Sequence, residues 1–578
     1  MRIGIDFGTC NSVAAVWNEG EKRARIVEIN GSRLQASCIA ISRSNPEEIV
    51  FGIAARDYRR DPEFLFYDRF KMLLNVRQRS RWAAFGWPED ADAMTPSEVS
   101  KAYLSELLSH SLESENKSKN DLKEIERLVL SVPAVWTQEA RDNYGREQLQ
   151  RIAIELLSRK KLSQLTRKEQ QVFKKRRVRI VSEPTAACCY FAHCYRINNP
   201  GKKFNGHTLV CDYGGGTLDL SLCKVEDDQV SVLDCRGYGH VEGETFGAAG
   251  MAFDEEVVRR YLQLESADVK RDESWEKWLR IFEIFKIRHI SPRSPNERKM
   301  SRYLGQPERV REALSPVPDG ADSPFRPAHL VKAFKSVIEP RFEESVLEML
   351  QLLVKNGILR EVNRGDKTVF DGSNETFRVL FVGGFSNFML VQIAMTRYLG
   401  YSVGDLCAGM LDSVYPTSDR KPSVALGATL LAAQKISYQE TCPVQLGTVI
   451  FPETLYPLVD AGSKIESDKT TPEKTVTVNA SGCDEYAEIV LWMRNNRGIE
   501  TRMPLEQTCA DVFPNRDELD NMWKLGFLVG EGLVISLWVQ DSNHKETRVV
   551  QLGDLIAKYS GIVIQPDEPP ADSSGGER

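Results

Sequence analysis

Three aspartates stand where chemistry is easy to build. Asp6 closes an apolar run and leads into Gly8 and Thr9 of DFGTCNS. Asp212 closes another and leads into Gly214, Gly215 and Gly216 of DYGGGTLD, which ends on Asp219. Glycine lets a backbone approach a ligand closely, and consecutive amides in such turns form concave anion sites suited to polyphosphate. Carboxylates gathered there repel one another unless a cation lies between them, and hydrated Mg²⁺ carried on a triphosphate meets that need. Neither turn continues into Gly-Lys-Ser/Thr and a helix, so a P-loop is excluded.

The elements that must position these residues read as paired hairpins. Ile3–Val16 and Leu209–Leu222 each read as strand–turn–strand, and at an offset of 206 Asp6 falls on Asp212 and Gly8 on Gly214. That is an internal duplication with a period too long for a solenoid. A third glycine turn, in VLFVGGFSN, follows the strand Val379–Val382. Thr95-Pro96 opens a helix over Ser97–Leu112, and Glu183-Pro184 opens another to about Arg196. Apolar spacing predicts one long helix from Pro327 to Val354. Strands alternating with helices predict α/β lobes. From 446 to 560 short strand-like runs separated by Gly, Asn and Asp turns predict a small all-β domain. The expected division is 1–434, with lobes of about 1–196 and 206–434, then a linker 435–445, the β domain 446–560 and a disordered tail 561–578.

Composition narrows the class. The 76 Lys and Arg nearly balance 82 Asp and Glu, and a net charge of −6 gives no push towards nucleic acid or anionic lipid. No apolar run approaches the roughly 18 residues of a membrane span, and the N-terminus reads as a buried strand rather than a signal peptide. Twelve cysteines in 578 residues, without a CxxC pair, support neither a disulfide scaffold nor a zinc ribbon. A cytoplasmic, reducing location is expected.

Six ordered motifs carry a resemblance. DFGTCNS, YDRFKMLLN (67–75), SVPAVW (131–136), SEPTAA (182–187), DYGGGTLDLS and VGGFSN resemble those of the actin-like ATPase superfamily and, within it, the seventy-kilodalton heat-shock (DnaK-type) chaperones. The resemblance implies a two-lobed, ribonuclease H-like α/β ATPase domain followed by a β-sandwich, with ATP or ADP and Mg²⁺ as cofactors. It implies that Gly8, Thr9, Cys10, Gly214, Gly215, Gly216 and Thr217 hold phosphates, and that Asp6 and Asp212 serve the metal. Lys71 and Glu183 would place the attacking water, with Asp219 and Thr217 assisting. Glu283 and Lys286 would meet adenosine, and Gly383, Gly384 and Ser386 would complete the base and ribose pocket. Arg179 matches a position that the family uses to meet J-domain co-chaperones.

The implied function is a slow ATPase and chaperone whose nucleotide state controls what the β domain holds, a polypeptide client or a dedicated protein partner. A nucleotide-gated scaffold with one fixed partner is the alternative, ahead of a small-molecule kinase or a filament former of the same superfamily. Departures from the family's pattern are visible. Only about 20 residues follow the last expected strand, too few for the family's helical lid. The stretch Lys435–Pro443, KISYQETCP, departs from the usual acidic-then-leucine linker. Ile287 replaces a second base beside Lys286, and residues 291–327 carry seven prolines in place of most of a subdomain.

Blander expectations complete the reading. The stretch 159–179, with ten Lys/Arg and one acid, reads as a solvated insertion. Cys10 reads as a packed, inert thiol; Cys188, Cys189 and Cys194 as helix core; and Trp492, Trp523 and Trp538 as sandwich core.

Overall fold

Two sheets of matching plan organise the first 441 residues of the computed structural model. The structure describes residues 1–76, 79–90, 92–118, 121–137, 144–238, 241–242, 245–246, 249–264, 273–289, 325, 327–364, 367–371, 376–388, 390–391, 394–395, 421–442, 444–450, 454–465, 469–479, 486–494, 500–508, 522–530, 534–542 and 545–553. In the first sheet β1 (Arg2–Asp6), β2 (Asn11–Asn18), β3 (Arg23–Ile26), β4 (Arg127–Val132) and β5 (Val178–Ser182) lie in the order β3-β2-β1-β4-β5. The second holds β6 (Gly206–Tyr213), β7 (Leu218–Glu226), β8 (Gln229–Tyr238), β9 (Phe377–Val382) and β10 (Ser437–Glu440), ordered β9-β6-β7-β8-β10. In each, an antiparallel hairpin is joined on its first strand by a parallel one. The register repeats the sequence offset: Asp6 faces Val13 across the first hairpin and Asp212 faces Asp219 across the second.

The helices that bear on the rest include α1 (Phe70–Leu73), α2 (Pro96–Glu113), α3 (Glu183–Asn198), α4 (Gly250–Leu262), α5 (Glu273–His289), α6 (Glu339–Lys355) and α7 (Ser423–Ala432). The caps explain two of the starts. Thr95 accepts from the Glu98 amide while Glu98 answers the Thr95 amide, a reciprocal capping box ahead of Pro96. Ser182 caps α3 with its side chain, which accepts from the Thr185 amide. Every residue of α7 is buried. Its Thr429 hydroxyl donates to Ala15 O at 3.0 Å, and Gly4 of β1 lies so close that an added methyl would sit 2.2 Å from Thr429 N. Gly427 meets α3 as tightly, 1.8 Å from Ala186 O by the same measure. Bare glycine surfaces are what let this helix reach both neighbours.

The long helix expected over 327–354 is interrupted. Pro327–Ala333 is helical, Phe334–Ile338 forms a wide π turn, and α6 follows. Pro340 supplies the reason, because its ring crowds the carbonyl four residues back and a wider turn relieves the clash. Residues 159–179 contain a short capped helix, Arg167–Val172, and a π turn, Phe173–Arg177. All but residues 325 and 327 of the proline-rich 291–327 stretch, and the whole 561–578 tail, lie outside the described residues.

The chain divides into two compact units, residues 1–136 with 143–441, and residues 137–142 with 442–578. In the second, β11 (Gln445–Ile450), β12 (Thr454–Val459), β13 (Val476–Asn479), β14 (Tyr486–Arg494), β15 (Glu500–Thr508), β16 (Met522–Val529), β17 (Ile535–Asp541) and β18 (Thr547–Gly553) form two four-stranded sheets, β12-β11-β14-β15 and β13-β16-β17-β18. Leu446, Leu491 and Leu505 of one share an apolar core with Trp523, Leu525 and Leu537 of the other. That is sheet-on-sheet packing. Trp492 and Trp538 are also buried.

Candidate active site

The two glycine hairpins oppose one another. A methyl on Gly215 would fall 2.6 Å from Cys10 Sγ, and one on Gly216 would fall 2.7 Å from Thr9 Oγ1. The second turn is braced from behind, since Gly214 O accepts from Gly250 N at 3.2 Å and Gly215 O from Met251 N at 2.7 Å. Thr217 is buried, and its carbonyl closes the turn on Gly214 N at 2.9 Å. Within the first turn, Gly8 is pressed against Asn11 O, so no side chain fits there.

Beside the hairpins, β1 and the β6–β7 pair deliver Asp6, Asp212 and Asp219. The Lys71 ammonium of α1 is 2% exposed and pairs with the Glu183 carboxylate at the start of α3. The Phe7 and Trp136 rings lie 6.0 and 5.8 Å from that ammonium, an apolar collar that keeps the pair out of water. Glu183 gains from the capped N-terminus of α3.

This concentration of charge costs the carboxyls their ordinary acidity. Burial, with Glu183 adding repulsion, raises Asp6 to about 7, although Lys71 and a 3.2 Å hydrogen bond from Ser131 oppose the shift. Asp212 is raised well above the usual range by burial, then by Glu183, Asp219 and Asp6. A carboxyl raised in the folded chain holds its proton there after the unfolded chain has lost it, so the folded state binds more protons between about pH 4 and 7. The contribution of Asp6 to stability is therefore complete below pH 4 and is lost as pH rises through 7. Asp6→Asn is expected to flatten this fall, measured as urea midpoints at pH 5 and 7.5; an unchanged slope would refute the assignment.

The donor set fits a hard cation, because Asp6, Asp212 and Asp219 offer carboxylate oxygens. Among the described residues no three His, Cys, Asp or Glu side chains converge as a direct metal cage would require.

A cleft of about 730 Å³ opens next to the hairpins, lined by residues including Thr9, Cys10, Arg56, Arg59, Asp254 and Glu283. The aspartate cluster does not line it. On α5, Lys286 pairs with Asp254 at 2.6 Å and Glu283 with Arg56 at 3.6 Å. The side chain of Ile287 is outside the described residues. Gly383 adopts φ +77°, and a methyl there would lie 2.5 Å from Asp212 Oδ1, so the third glycine turn sits against the cluster. Ser386 is fully buried and donates to Gly383 O at 2.9 Å, which makes it a brace of that turn. Asp254 and Arg56 line the cleft and carry no motif of their own, so only the fold places them, whereas Ser131, which bonds Asp6, opens the SVPAVW motif.

Cys10 departs from the expected packed thiol, for its side chain is exposed at the cleft wall. Protein on every side of the cleft still strips water from a thiolate, and with Glu283 nearby it pushes Cys10 up to about 11. Iodoacetamide at pH 8 is expected to alkylate Cys10 about a hundredfold more slowly than a free cysteine. Rates from mass spectrometry of the Cys10 peptide would test this, and labelling as fast as a free thiol would contradict it.

Comparisons place the chain among known proteins. A family model described as "Hsp70 protein" matches residues 175–289. "Chaperone protein DnaK 3" of Synechococcus sp. is 24% identical over 503 residues, 82% of this chain and 65% of that protein. "Chaperone protein DnaK" of Prochlorococcus marinus is 30% identical over 259 residues, covering 42% and 35%, and "Chaperone protein dnaK" of Cyanidium caldarium is 24% identical over 508, covering 83% and 69%. The aligned stretch thus spans slightly under two thirds of the first relative's length.

Proposed function

The chain belongs to the Hsp70 (DnaK-type) family, and from that premise we propose that it is an ATP-hydrolysing chaperone of that type. In this reading the two sheets head two lobes, about 1–196 and 206–434, with MgATP between them. Residues 435–445 link them to a partner-binding β domain over 446–560. The observation that carries it is the buried Lys71–Glu183 pair set among Asp6, Asp212 and Asp219 beside two opposed glycine hairpins.

The residues divide the work by position. Backbone amides of Gly8, Thr9, Cys10 and Gly214–Gly216 would cradle the phosphates, and Asp6 and Asp212 would hold the hydrated Mg²⁺. That ion supplies charge neutralisation of the phosphates. Lys71 and Glu183 orient the attacking water, Thr217 and Asp219 hold its proton path, and Phe7 and Trp136 exclude bulk solvent. Little covalent work falls to the protein, since phosphoryl transfer is governed by positioning and charge. Glu283, Lys286, Gly383, Gly384 and Ser386 would frame adenosine.

The atypical linker has a route for signalling in this scheme. Its first part is β10, which pairs in parallel with β8 of the second sheet. Tyr438 is buried, donates to Ile180 O at 3.1 Å, and carries the Arg179 guanidinium 4.0 Å over its ring. A tyrosine thus occupies the apolar seat, and a shift in either sheet pulls on it. The same stack makes Arg179 part of the linker seat, so a J-domain partner meeting it would sense the linker's position.

No described helix is long and apolar enough to cross a membrane. The client is taken to be a polypeptide segment. Fluorescence anisotropy with several unrelated unfolded peptides tests the reading: binding to most of them, with faster release in ATP than in ADP, is expected. Binding to none of them, or release indifferent to nucleotide, would overturn it in favour of a fixed-partner scaffold.

A further inference from the structure

One side chain near the proposed reacting centre ties together segments far apart in sequence. Asn75 follows Lys71 by four residues, just past α1. Its backbone is fixed there, because Leu74 N bonds Phe70 O and Lys71 O at 3.1 and 3.2 Å and Val76 N bonds Leu73 O at 3.0 Å. Asn75 Nδ2 donates to Trp136 O at 3.3 Å, and Asn75 Oδ1 accepts from Gly145 N at 2.9 Å. Gly145 stands in the first turn of the helix Tyr144–Ser158, where amides lack an intrahelical partner. The asparagine thus satisfies a donor that the helix cannot.

Packing closes the same triangle. A methyl on Gly145 would fall 2.8 Å from Trp136 Cε3 and 3.0 Å from Asn75 Oδ1, so only a bare backbone admits the indole and the amide together. Trp136 is 1% exposed, and its ring centroid lies 5.8 Å from the Lys71 ammonium. The lysine therefore meets an indole whose own carbonyl is held from four residues further along the lysine's segment. Through Trp136, the asparagine acts on Lys71.

We propose that Asn75 is a positioning residue for ATP hydrolysis, which fixes Trp136 over Lys71 and so keeps the Lys71–Glu183 pair aimed and free of water. This rests on the reading of Lys71 as the cation that orients the attacking water. A fixed ammonium shielded from solvent acts more strongly on developing charge than one that water can reach.

Two readouts on the full chain test it, one of them independent of nucleotide. Labelling of Lys71 by acetic anhydride, followed by mass spectrometry and referred to exposed Lys22, reports how well the collar excludes solvent. Asn75→Ala is expected to raise the Lys71 rate about fivefold, the worth of one hydrogen bond, and to leave Lys22 unchanged. In steady-state hydrolysis the same variant should lower kcat about tenfold and move KM less than about twofold. Asn75→Asp keeps an acceptor for Gly145 N but turns a carboxylate onto Trp136 O, and should lower kcat as far. Because the asparagine acts through the indole, its loss should cost less than about twofold in a Trp136→Leu background. A merely structural asparagine would cost the same in both backgrounds. Thermal midpoints identify any variant that misfolds, and the aspartate variant keeps the comparison valid if alanine does. Unchanged Lys71 labelling in both Asn75 variants would overturn the proposal, as would equal losses of kcat in the two backgrounds. A wild type that hydrolyses ATP beside Asn75 variants of equal turnover refutes the role of Asn75 alone. A wild type that hydrolyses no ATP refutes the reading of the site, and this role with it.

Discussion

Replacing Lys71 by alanine is expected to cut ATP turnover by about a hundredfold or more, with little change in KM. The lysine is 2% exposed and its carboxylate partner, Glu183, is also buried. Asp6 and Asp212 both feel Lys71 as the charge that opposes their burial. Taking it away removes the preorganised cation at the proposed reacting centre and leaves several acids without compensation. Breaking one side of a buried pair costs about 3–5 kcal/mol of stability. Phosphate release measures the first effect and urea denaturation the second. A variant with turnover within threefold of wild type would show that the pair is only structural.

Gly427→Ala is expected to be as damaging without touching the chemistry. The added methyl would meet Ala186 O at 1.8 Å and Ala186 C at 2.6 Å, both backbone atoms that no rotamer change can move. Helix α7 would have to leave α3, and with it the contact of Gly4 on Thr429. A loss of more than about 3 kcal/mol follows, at the upper end of overpacking costs. Gly214→Ala makes the contrast, since its nearest neighbour would be Thr217 O at an ordinary 3.7 Å. That variant should melt close to wild type. Equal melting of the Gly427 variant would refute the account of how α7 is seated.

Much of the site was legible because its chemistry sits in short contiguous runs. The offset that aligns Asp6 with Asp212 also aligns Val13 with Asp219, and the two hairpins pair in that register. Helix starts at Thr95 and Ser182 were legible for the same local reason, as caps are side-chain signals. What composition and spacing could not show were pairings across long stretches of chain. Lys71 and Glu183 are 112 residues apart, and only family resemblance joined them before the fold did. Asp254 and Arg56 bear on the cleft through tertiary packing alone. Tyr438 in KISYQETCP carries no pattern that distinguishes a docked strand from a free linker; its burial against Ile180 and Arg179 does. Pro340 breaks the helix that the apolar periodicity predicts, and the π turn at Phe334–Ile338 is its consequence.

The most direct test of the account is Mg²⁺-dependent ATP hydrolysis by the full chain, followed as phosphate release under single-turnover conditions, with Asp212→Asn alongside. Asp212 is the acid that faces Asp219, abuts Gly383 and lies within the field of Asp6, Glu183 and Lys71. The account predicts slow hydrolysis in the wild type, dependent on Mg²⁺ and lost in the variant. Hydrolysis that survives Asp212→Asn unchanged, or a wild type that neither binds nor cleaves ATP, would contradict it.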